Sequence, residues 1–254
     1  MQARLGALVG ALTRSLAAAS PAPRGLPGYG LEHASGTARE LLGRLSAHGI
    51  FRKYELVLDL GSDLGATGRW LATRLGCTVV ATADDAGAAR EGRGLTRRAG
   101  LTAQVFHVPA SPTALPVRDA RFTHVWAVES LPRLPDTALA DAFRALRPGG
   151  HLALQDLVGT SADVPVVPGW RFTTRAARIA DIEAVGFVEV AADDVTHASV
   201  ERSAPVLAAR QQLLHRLRAA GDSALSREAD VRDALSAALA DGRLGVVQLV
   251  ARRP

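Results

Sequence analysis

The sequence predicts an α/β fold with a doubly wound, mainly parallel β-sheet. Two observations support this prediction. An apolar run from Leu56 to Leu60 leads into the glycine-rich turn 61–68 and then into a helical pattern that ends near Leu75. Segments of strand and helix pattern then alternate as far as Val158, which is typical of a parallel sheet covered by helices on both faces.

The turn after the first strand is the feature around which the chain is organised. Glycine at position 61 permits backbone angles that other residues avoid, and it brings no side chain toward a ligand. The free N–H groups at the start of the next helix would face an anionic group. The same turn also occurs as a plain strand-to-helix connection, so it does not identify a ligand by itself.

Hydrophobic periodicity and breaker residues place the other elements. The predicted strands are 54–60, 77–83, 102–108, 122–128, 151–158, 187–191 and 245–252. The predicted helices are 2–19, 37–48, 65–75, 86–99, 137–146, 173–184, 200–220 and 230–239. We therefore expect an N-terminal helical lid over 1–48, and a main domain over 49–254 with a helical cap insertion at 196–241.

Composition excludes several classes of partner and site. The pI of 10.5 comes almost wholly from arginines scattered among acids, with Lys53 as the one lysine, so it does not predict a nucleic-acid partner. The single cysteine, Cys77, excludes an internal disulfide and a cysteine-rich zinc site, and its apolar strand favours a structural role. The histidines show no metal-site spacing, so no metal is expected. No apolar run approaches the roughly 18 residues of a membrane span.

The N-terminal segment allows two interpretations. Met1–Leu31 contains no acid, carries three arginines and has an amphipathic leucine pattern. Residues 1–24 are therefore either an organelle transit peptide or part of an amphipathic helix that closes over a pocket or lies on the body of the protein. The second interpretation predicts a cytoplasmic protein.

Four sequence features carry a family resemblance. They are Val57–Gly61 with Gly65, Leu115–Val117 followed by Phe122–Leu131, the Arg-Pro-Gly-Gly turn within Leu146–Leu152, and Ala184–Phe187 ahead of a final strand. Residues 50–158 resemble class I S-adenosylmethionine-dependent methyltransferases. The resemblance is to the small-molecule group, methyltransferase type 11, which methylates quinones, tocopherols, sterols and bacterial natural products.

The resemblance implies a seven-stranded, Rossmann-like sheet whose last strand is antiparallel. It also implies S-adenosylmethionine as cofactor, lying across the carboxyl ends of strands one to four. Asp59 would bind the cofactor's amino group through water, and Gly61 and Gly65 would let its methionine half pass. Ser62 and Asp63 belong to the same turn and are expected to line the cofactor.

The sequence departs from the family pattern at the cofactor contacts. Asp63 stands where a glycine is usual, and Arg133 stands where a histidine is frequent. The acid that grips the ribose would fall at Ala83, so a one-residue shift is needed for Asp84 to serve. The acid that contacts adenine is replaced by Ala110 or Ser111; only the serine can accept a hydrogen bond.

Candidate catalytic residues follow from what methyl transfer requires, alignment of the nucleophile with the methyl group and a general base. Glu129 leaves strand four nearest the expected methyl group, and it either contacts cofactor or substrate or is a loop carboxylate bonded to backbone. His33 and His197 are candidate general bases, with solvated loop histidines as the alternative. His124 lies inside a strand and is expected to be a core histidine.

The chain after strand five predicts apolar surroundings for an acceptor. Trp170 and Phe172 either wall an apolar pocket or pack beneath a loop. The predicted cap helix is more apolar than a solvated helix needs to be, and we expect it to line the same pocket through Leu207, Leu213, Leu214 and Leu217.

The sequence therefore leaves two candidate functions from different classes. The first is methyl transfer from S-adenosylmethionine to a small, largely apolar metabolite. The alternative is a methyltransferase-like protein without methyl transfer, such as a metabolite-binding scaffold, a partner subunit or a cyclase-type enzyme. The single lysine, Lys53, has no tyrosine four residues before it, which excludes the Tyr–Lys pair of short-chain dehydrogenases. It follows Arg52 and not a glycine, which excludes a phosphate-binding P-loop. The expected protein is a monomer or homodimer with no nucleic-acid or integral-membrane partner.

Overall fold

The computed structural model describes residues 39–48, 55–110, 115–161, 164–202, 208, 211 and 223–254. The predicted helix 2–19, His33, Ser111 and the four leucines of the predicted cap helix lie outside these residues.

Helices and strands alternate along the described chain, as the sequence predicts. The helices are α1 (Arg39–Ala47), α2 (Ala66–Leu75), α3 (Ala86–Arg98), α4 (Ala138–Ala145), α5 (Arg175–Ala184) and α6 (Ser223–Ala240), with a 3-10 turn at Leu131–Arg133. The strands are β1 (Leu56–Asp59), β2 (Thr78–Ala83), β3 (Val105–Pro109), β4 (Phe122–Val128), β5 (Leu146–Gly159), β6 (Val188–Asp194) and β7 (Leu244–Arg252). Residues 196–202 are also helical.

These strands form a seven-stranded sheet in the order β3-β2-β1-β4-β5-β7-β6. Strands β1 to β5 pair in parallel, whereas β7 is antiparallel to both β5 and β6. The predicted fold class and the antiparallel last strand are confirmed. The chain runs outward from β1 to β3 and returns to β4 on the other side of β1, so a crevice opens between β1 and β4 at the carboxyl edge, where such sheets bind ligands.

Apolar side chains cover both faces of the sheet. On one face Leu139 of α4 and Ile182 of α5 pack against Leu58 and Leu152. On the other face Leu71 of α2 packs with residues of β1, β2 and β4. Every residue of β4 is buried, as expected for a central strand of a parallel sheet.

Strand β5 begins at Leu146, five residues before the predicted start at His151. The Pro-Gly-Gly turn joins the strand because the Gly149 N–H donates to the Arg253 carbonyl, and the Arg253 N–H donates to the Gly150 carbonyl. Helix α6 begins at Ser223, seven residues before the prediction. No helix among the described residues is long and apolar enough to cross a bilayer.

Two side chains have the structural roles that the sequence predicts. Cys77 is fully buried, and burial raises the pKa of its thiol to about 11, so the sulfur stays protonated. His124 is buried in β4, receives or donates a hydrogen bond with the Thr123 hydroxyl at 2.9 Å and stacks on His151. Burial is the main cause that lowers the pKa of His124 to about 4.

Candidate functional site

The carboxyl ends of β1, β2 and β3 border a pocket, here called the edge pocket. The space between its walls, including the open mouth, is about 320 Å³. The lining residues are Leu60, Gly61, Thr82, Ala83, Asp84, Ala110, Leu115, Leu134, Pro135, Ala138 and Asp141. The pocket lies where the topology predicts a ligand site.

Hydrogen bonds fix the glycine turn at the rim of the edge pocket to the neighbouring strands. The Gly61 N–H donates to Thr82 Oγ1 at 3.0 Å, and the Ser62 N–H donates to the Thr82 carbonyl at 2.7 Å. On the other side Ser130 Oγ donates to the Leu60 carbonyl at 2.7 Å. These bonds hold the turn rigidly between β2 and the end of β4.

Both predicted glycines have a positive φ, of 65° at Gly61 and 80° at Gly65. A Cβ at Gly61 would lie 2.7 Å from Ser130 Cβ, and one at Gly65 would lie 2.3 Å from His107 Cε1. The protein's own packing is therefore sufficient to require glycine at both positions. Contact of either glycine with a cofactor stays a prediction.

His107, which the sequence analysis did not single out, is the residue beneath this turn. Its buried ring also lies against Gly92, and Nε2 shares a 2.7 Å hydrogen bond with Thr96 Oγ1. Burial, followed by the charges of Arg69 and Arg93, lowers the pKa of His107 to about 4. His107 is thus a neutral packing residue at neutral pH.

Asp63 and Arg133 form an ion pair across the mouth of the crevice. Arg133 donates from Nη2 to Asp63 Oδ2 at 2.8 Å and from Nη1 to Oδ1 at 3.3 Å. The Arg133 guanidinium also lies 5.4 Å from the centre of the Trp170 ring. Two separate departures from the family pattern, the acid in the turn and the arginine after β4, are therefore one compensated pair.

The acids after β2 have different roles. Asp85 caps α3, since its carboxylate accepts from the Gly87 and Ala88 N–H groups at 2.9 and 3.1 Å. Asp84 lines the edge pocket instead. Although its side chain reaches solvent, the pocket walls raise the pKa of Asp84, the Asp63 charge raises it further, and the Arg133 charge opposes both. The one-residue shift required by the sequence thus brings Asp84 to the pocket.

Three other predicted cofactor positions are near this edge. Asp59 is buried at the end of β1, and Ala110 lines the pocket after β3. Ser62 Oγ is enclosed and has no hydrogen-bond partner among the described residues. An enclosed hydroxyl without a partner is costly, so a ligand group at the turn would satisfy it.

Glu129 does not line the edge pocket; its side chain is fixed by a residue of the neighbouring strand β5. It has a φ of 55°, a conformation that is strained for a glutamate and is found often at functional sites. Its N–H donates to the Gln155 carbonyl at 2.6 Å, and Gln155 Nε2 donates to Oε1 at 3.2 Å. Gln248 Nε2 continues the buried chain by donating to Gln155 Oε1 at 3.0 Å and to the Leu41 carbonyl at 2.7 Å.

The structure does not bring the remaining candidates into the pocket. His197 is exposed after β6, the strand at the opposite edge of the sheet from β3. Trp170 and Phe172 stack with their ring centres 5.9 Å apart and pack on an apolar cluster from α1, α6, β5 and β7. This cluster contains Leu41, Leu157, Val167, Val195, Leu235, Leu239, Leu244 and Val246.

Sequence reasoning missed the residues that complete the pocket. Thr82 is a buried polar residue two positions before Asp84, and a threonine near the carboxyl end of this mostly apolar strand was the available signal. Leu134 and Pro135 come from the segment after the 3-10 turn. Their part in the wall follows from the return of the chain beside β1, which no local pattern reveals.

Comparison with known proteins supplies an independent line of evidence. Residues 58–154 match a family model described as a methyltransferase domain. The Methyltransferase GfsG of Streptomyces halstedii is 35% identical over 133 residues, which are 50% of this chain and 48% of that protein. The chain thus spans about half the length of this curated relative.

Two solved structures have the same fold. The 4+2 cyclase SpnF superposes with a TM-score of 0.68 at 22% identity, over 85% of this chain and 81% of that one. The geranyl diphosphate C-methyltransferase of Streptomyces coelicolor A3(2), solved with Mg2+, geranyl diphosphate and S-adenosyl-L-homocysteine, superposes with a TM-score of 0.66 at 16% identity. That match covers 85% of this chain and 78% of the other.

Proposed function

We propose that this chain, which carries a class I methyltransferase domain over residues 58–154, transfers a methyl group from S-adenosylmethionine to a small, largely apolar metabolite. The observation that carries the proposal is the edge pocket. It joins an acid after β2 to apolar walls after β3, at the ligand-binding edge of a sheet with the methyltransferase strand order.

The residues present fit the cofactor's adenosine. The Asp84 carboxylate accepts hydrogen bonds from the ribose hydroxyls, and Ala110 and Leu115 contact the flat faces of the adenine. Ser62 Oγ, which has no partner among the described residues, donates to the polar end of the same ligand. When bound, the cofactor supplies a methyl group on a sulfonium, and the chain has to orient it and exclude water.

Glu129 is the proposed catalytic carboxylate. Its backbone lies at the end of β4, beside the crevice, and its buried carboxylate accepts a hydrogen bond from Gln155 Nε2. There it either contacts the cofactor's charged end or accepts a proton from the acceptor. His33 and His197 remain candidate bases only as sequence predictions. Because His197 is exposed, we expect its substitution to leave activity unchanged.

The acceptor is proposed to be apolar because the half-buried Trp170 ring lies against Arg133 at the mouth of the crevice, with the Phe172 ring stacked on it. The neighbour of similar fold that was solved with geranyl diphosphate is a geranyl diphosphate C-methyltransferase, and geranyl diphosphate carries an apolar chain of this class. A cytoplasmic location and a monomeric or homodimeric state belong to the same proposal; cell fractionation and light scattering test them.

Titration calorimetry with S-adenosylmethionine and S-adenosylhomocysteine tests the proposal, followed by transfer of a labelled methyl group to sterol and prenyl diphosphate acceptors. We expect Asp84→Asn to weaken binding about tenfold, because a charged hydrogen bond to the ribose is lost. Asp85→Asn is the matched control, since asparagine also caps a helix. Absence of binding at millimolar cofactor would refute the proposal. Tight binding with no transfer to any acceptor would favour the alternative, a methyltransferase-like protein without methyl transfer.

A further inference from the structure

We propose that Arg133 is an exchangeable receptor for a carboxylate. Asp63 holds its guanidinium until a ligand carboxylate enters the crevice between β1 and β4, and the guanidinium then passes to that carboxylate. This inference rests on the proposed function, because it concerns the same site.

The position of the pair supports this role. Asp63 belongs to the turn after β1, and Arg133 ends the 3-10 turn after β4, so their ion pair spans the two sides of the crevice. Gly61, two residues before Asp63, and Leu134, directly after Arg133, line the edge pocket. A ligand that extends from the pocket into the crevice therefore meets this pair directly.

The charges at the crevice make an arginine necessary. Asp63 and Asp84 lie close enough for the first to raise the pKa of the second, and the Arg133 charge opposes this effect. A ligand carboxylate arriving beside two acids would be repelled. With Arg133 paired to Asp63, the incoming carboxylate finds a cation whose planar fork binds carboxylates at two points.

The pair is also built so that it can exchange partners. About 30% of each side chain is exposed, and ion pairs of this exposure contribute little to stability. The Arg133 guanidinium carbon lies over the Trp170 ring at 5.4 Å from its centre, and this contact attracts the charge without occupying a hydrogen-bond acceptor position. The enclosed Ser62 Oγ lies next to Asp63 in sequence and offers a second donor at the same turn.

The carboxylate can come from the methionine part of the cofactor or from an acidic acceptor, and calorimetry on the full chain distinguishes these sources. S-Adenosylhomocysteine carries the carboxylate, and 5′-methylthioadenosine lacks it. Dodecanoate and dodecanol form the corresponding pair of acceptor probes. The variants are Arg133→Gln, Arg133→Lys and Asp63→Asn, and Arg118→Gln is an exposed control with the same change in charge.

If the cofactor is the source, Arg133→Gln weakens S-adenosylhomocysteine about tenfold or more and changes methylthioadenosine less than about twofold. Arg133→Lys retains part of the affinity, and Asp63→Asn tightens S-adenosylhomocysteine because a competing carboxylate is removed. If the acceptor is the source, the selective loss falls on dodecanoate and not on dodecanol. Either pattern supports the proposal.

Two results would overturn it in distinguishable ways. If the wild-type protein binds the nucleosides but Arg133→Gln weakens both members of each probe pair equally, or neither, Arg133 is a structural residue and the proposed function still stands. If the wild-type protein binds neither nucleoside, the proposed function fails, and this inference fails with it. Thermal unfolding of each variant verifies that it is folded.

Discussion

At the scale of single residues, the glycine turn is defined by what lies beneath it. A Cβ at Gly65 would meet the buried His107 ring at 2.3 Å, and His107 is in turn fixed by Thr96. Gly100 has a similar φ of 71° but open space around it. A side chain at Gly100 would therefore carry only the cost of the left-handed backbone, whereas a side chain at Gly65 would add a steric clash with His107.

We predict that Gly65→Ala lowers the free energy of unfolding by about 2–4 kcal/mol, whereas Gly100→Ala lowers it by about 1 kcal/mol. Both substitutions pay for a left-handed backbone, but only the first forces His107 to move. Urea unfolding of both variants measures the difference. Equal losses would contradict the packing explanation.

The sequence could not reveal how its two unusual residues at the site compensate each other. Asp63 and Arg133 are separated by 70 positions, and each on its own is a departure that weakens a cofactor site. Their pairing depends on the adjacency of β1 and β4, which is a property of the topology. By contrast, the position of Asp84 at the pocket could be anticipated from its place directly after β2. The capping role of Asp85 could be recognised only once the structure showed where α3 begins.

At the scale of elements, α5 is joined to the sheet by a buried ion pair. Arg178 Nε donates to Asp156 Oδ2 at 2.9 Å, and the Asp156 side chain is 1% exposed. Burial raises the pKa of Asp156 to about 6, against the lowering effect of Arg178. The buried Asp156 carboxylate therefore depends on Arg178 for the stabilisation that water would otherwise provide.

We expect Arg178→Met to lower the free energy of unfolding by about 3–5 kcal/mol, because a buried carboxylate is left without its cation. The double variant Asp156→Leu/Arg178→Met should recover much of that loss, since apolar packing replaces the pair. Chemical denaturation of the single and double variants decides this. A double variant that is less stable than the single one would contradict the argument.

The elements themselves were largely predictable. The central strand β4 lies at the predicted residues because a mostly apolar strand between breakers has a clear pattern. Strand β5 begins early because its first residues pair through the turn with the far end of the chain, near Arg253. Pairing over such a distance in sequence leaves no local signal.

At the scale of the whole molecule, buried neutral histidines make stability depend on pH. The pKa of His107 and that of His124 are lowered to about 4, mainly by burial. In the unfolded chain a histidine has a pKa of about 6.5, so the unfolded state binds protons first as the pH falls. Each histidine therefore removes stability as the pH drops from about 6.5 to about 4.

We predict that lowering the pH from 7 to 5 costs about 2 kcal/mol for each of the two histidines. His124→Gln should remove one of these contributions, so its stability falls less steeply than that of the wild type. The raised pKa of Asp156 acts in the opposite direction, but it cancels in this comparison. Urea unfolding at both pH values is the measurement, with exposed His48→Gln as control. Parallel pH dependence in the His124→Gln variant and the wild type would contradict the assignment.

The position of β7 has a consequence for how the molecule is made. It lies between β5 and β6, although it follows both in sequence. During synthesis on the ribosome, β5 has no neighbouring strand on its outer side until residues 244–252 emerge. Strand β6 cannot join the sheet before then, because it pairs with β7. A nascent chain stalled before that point presents an open strand edge, the kind of surface that recruits chaperones or joins to other chains.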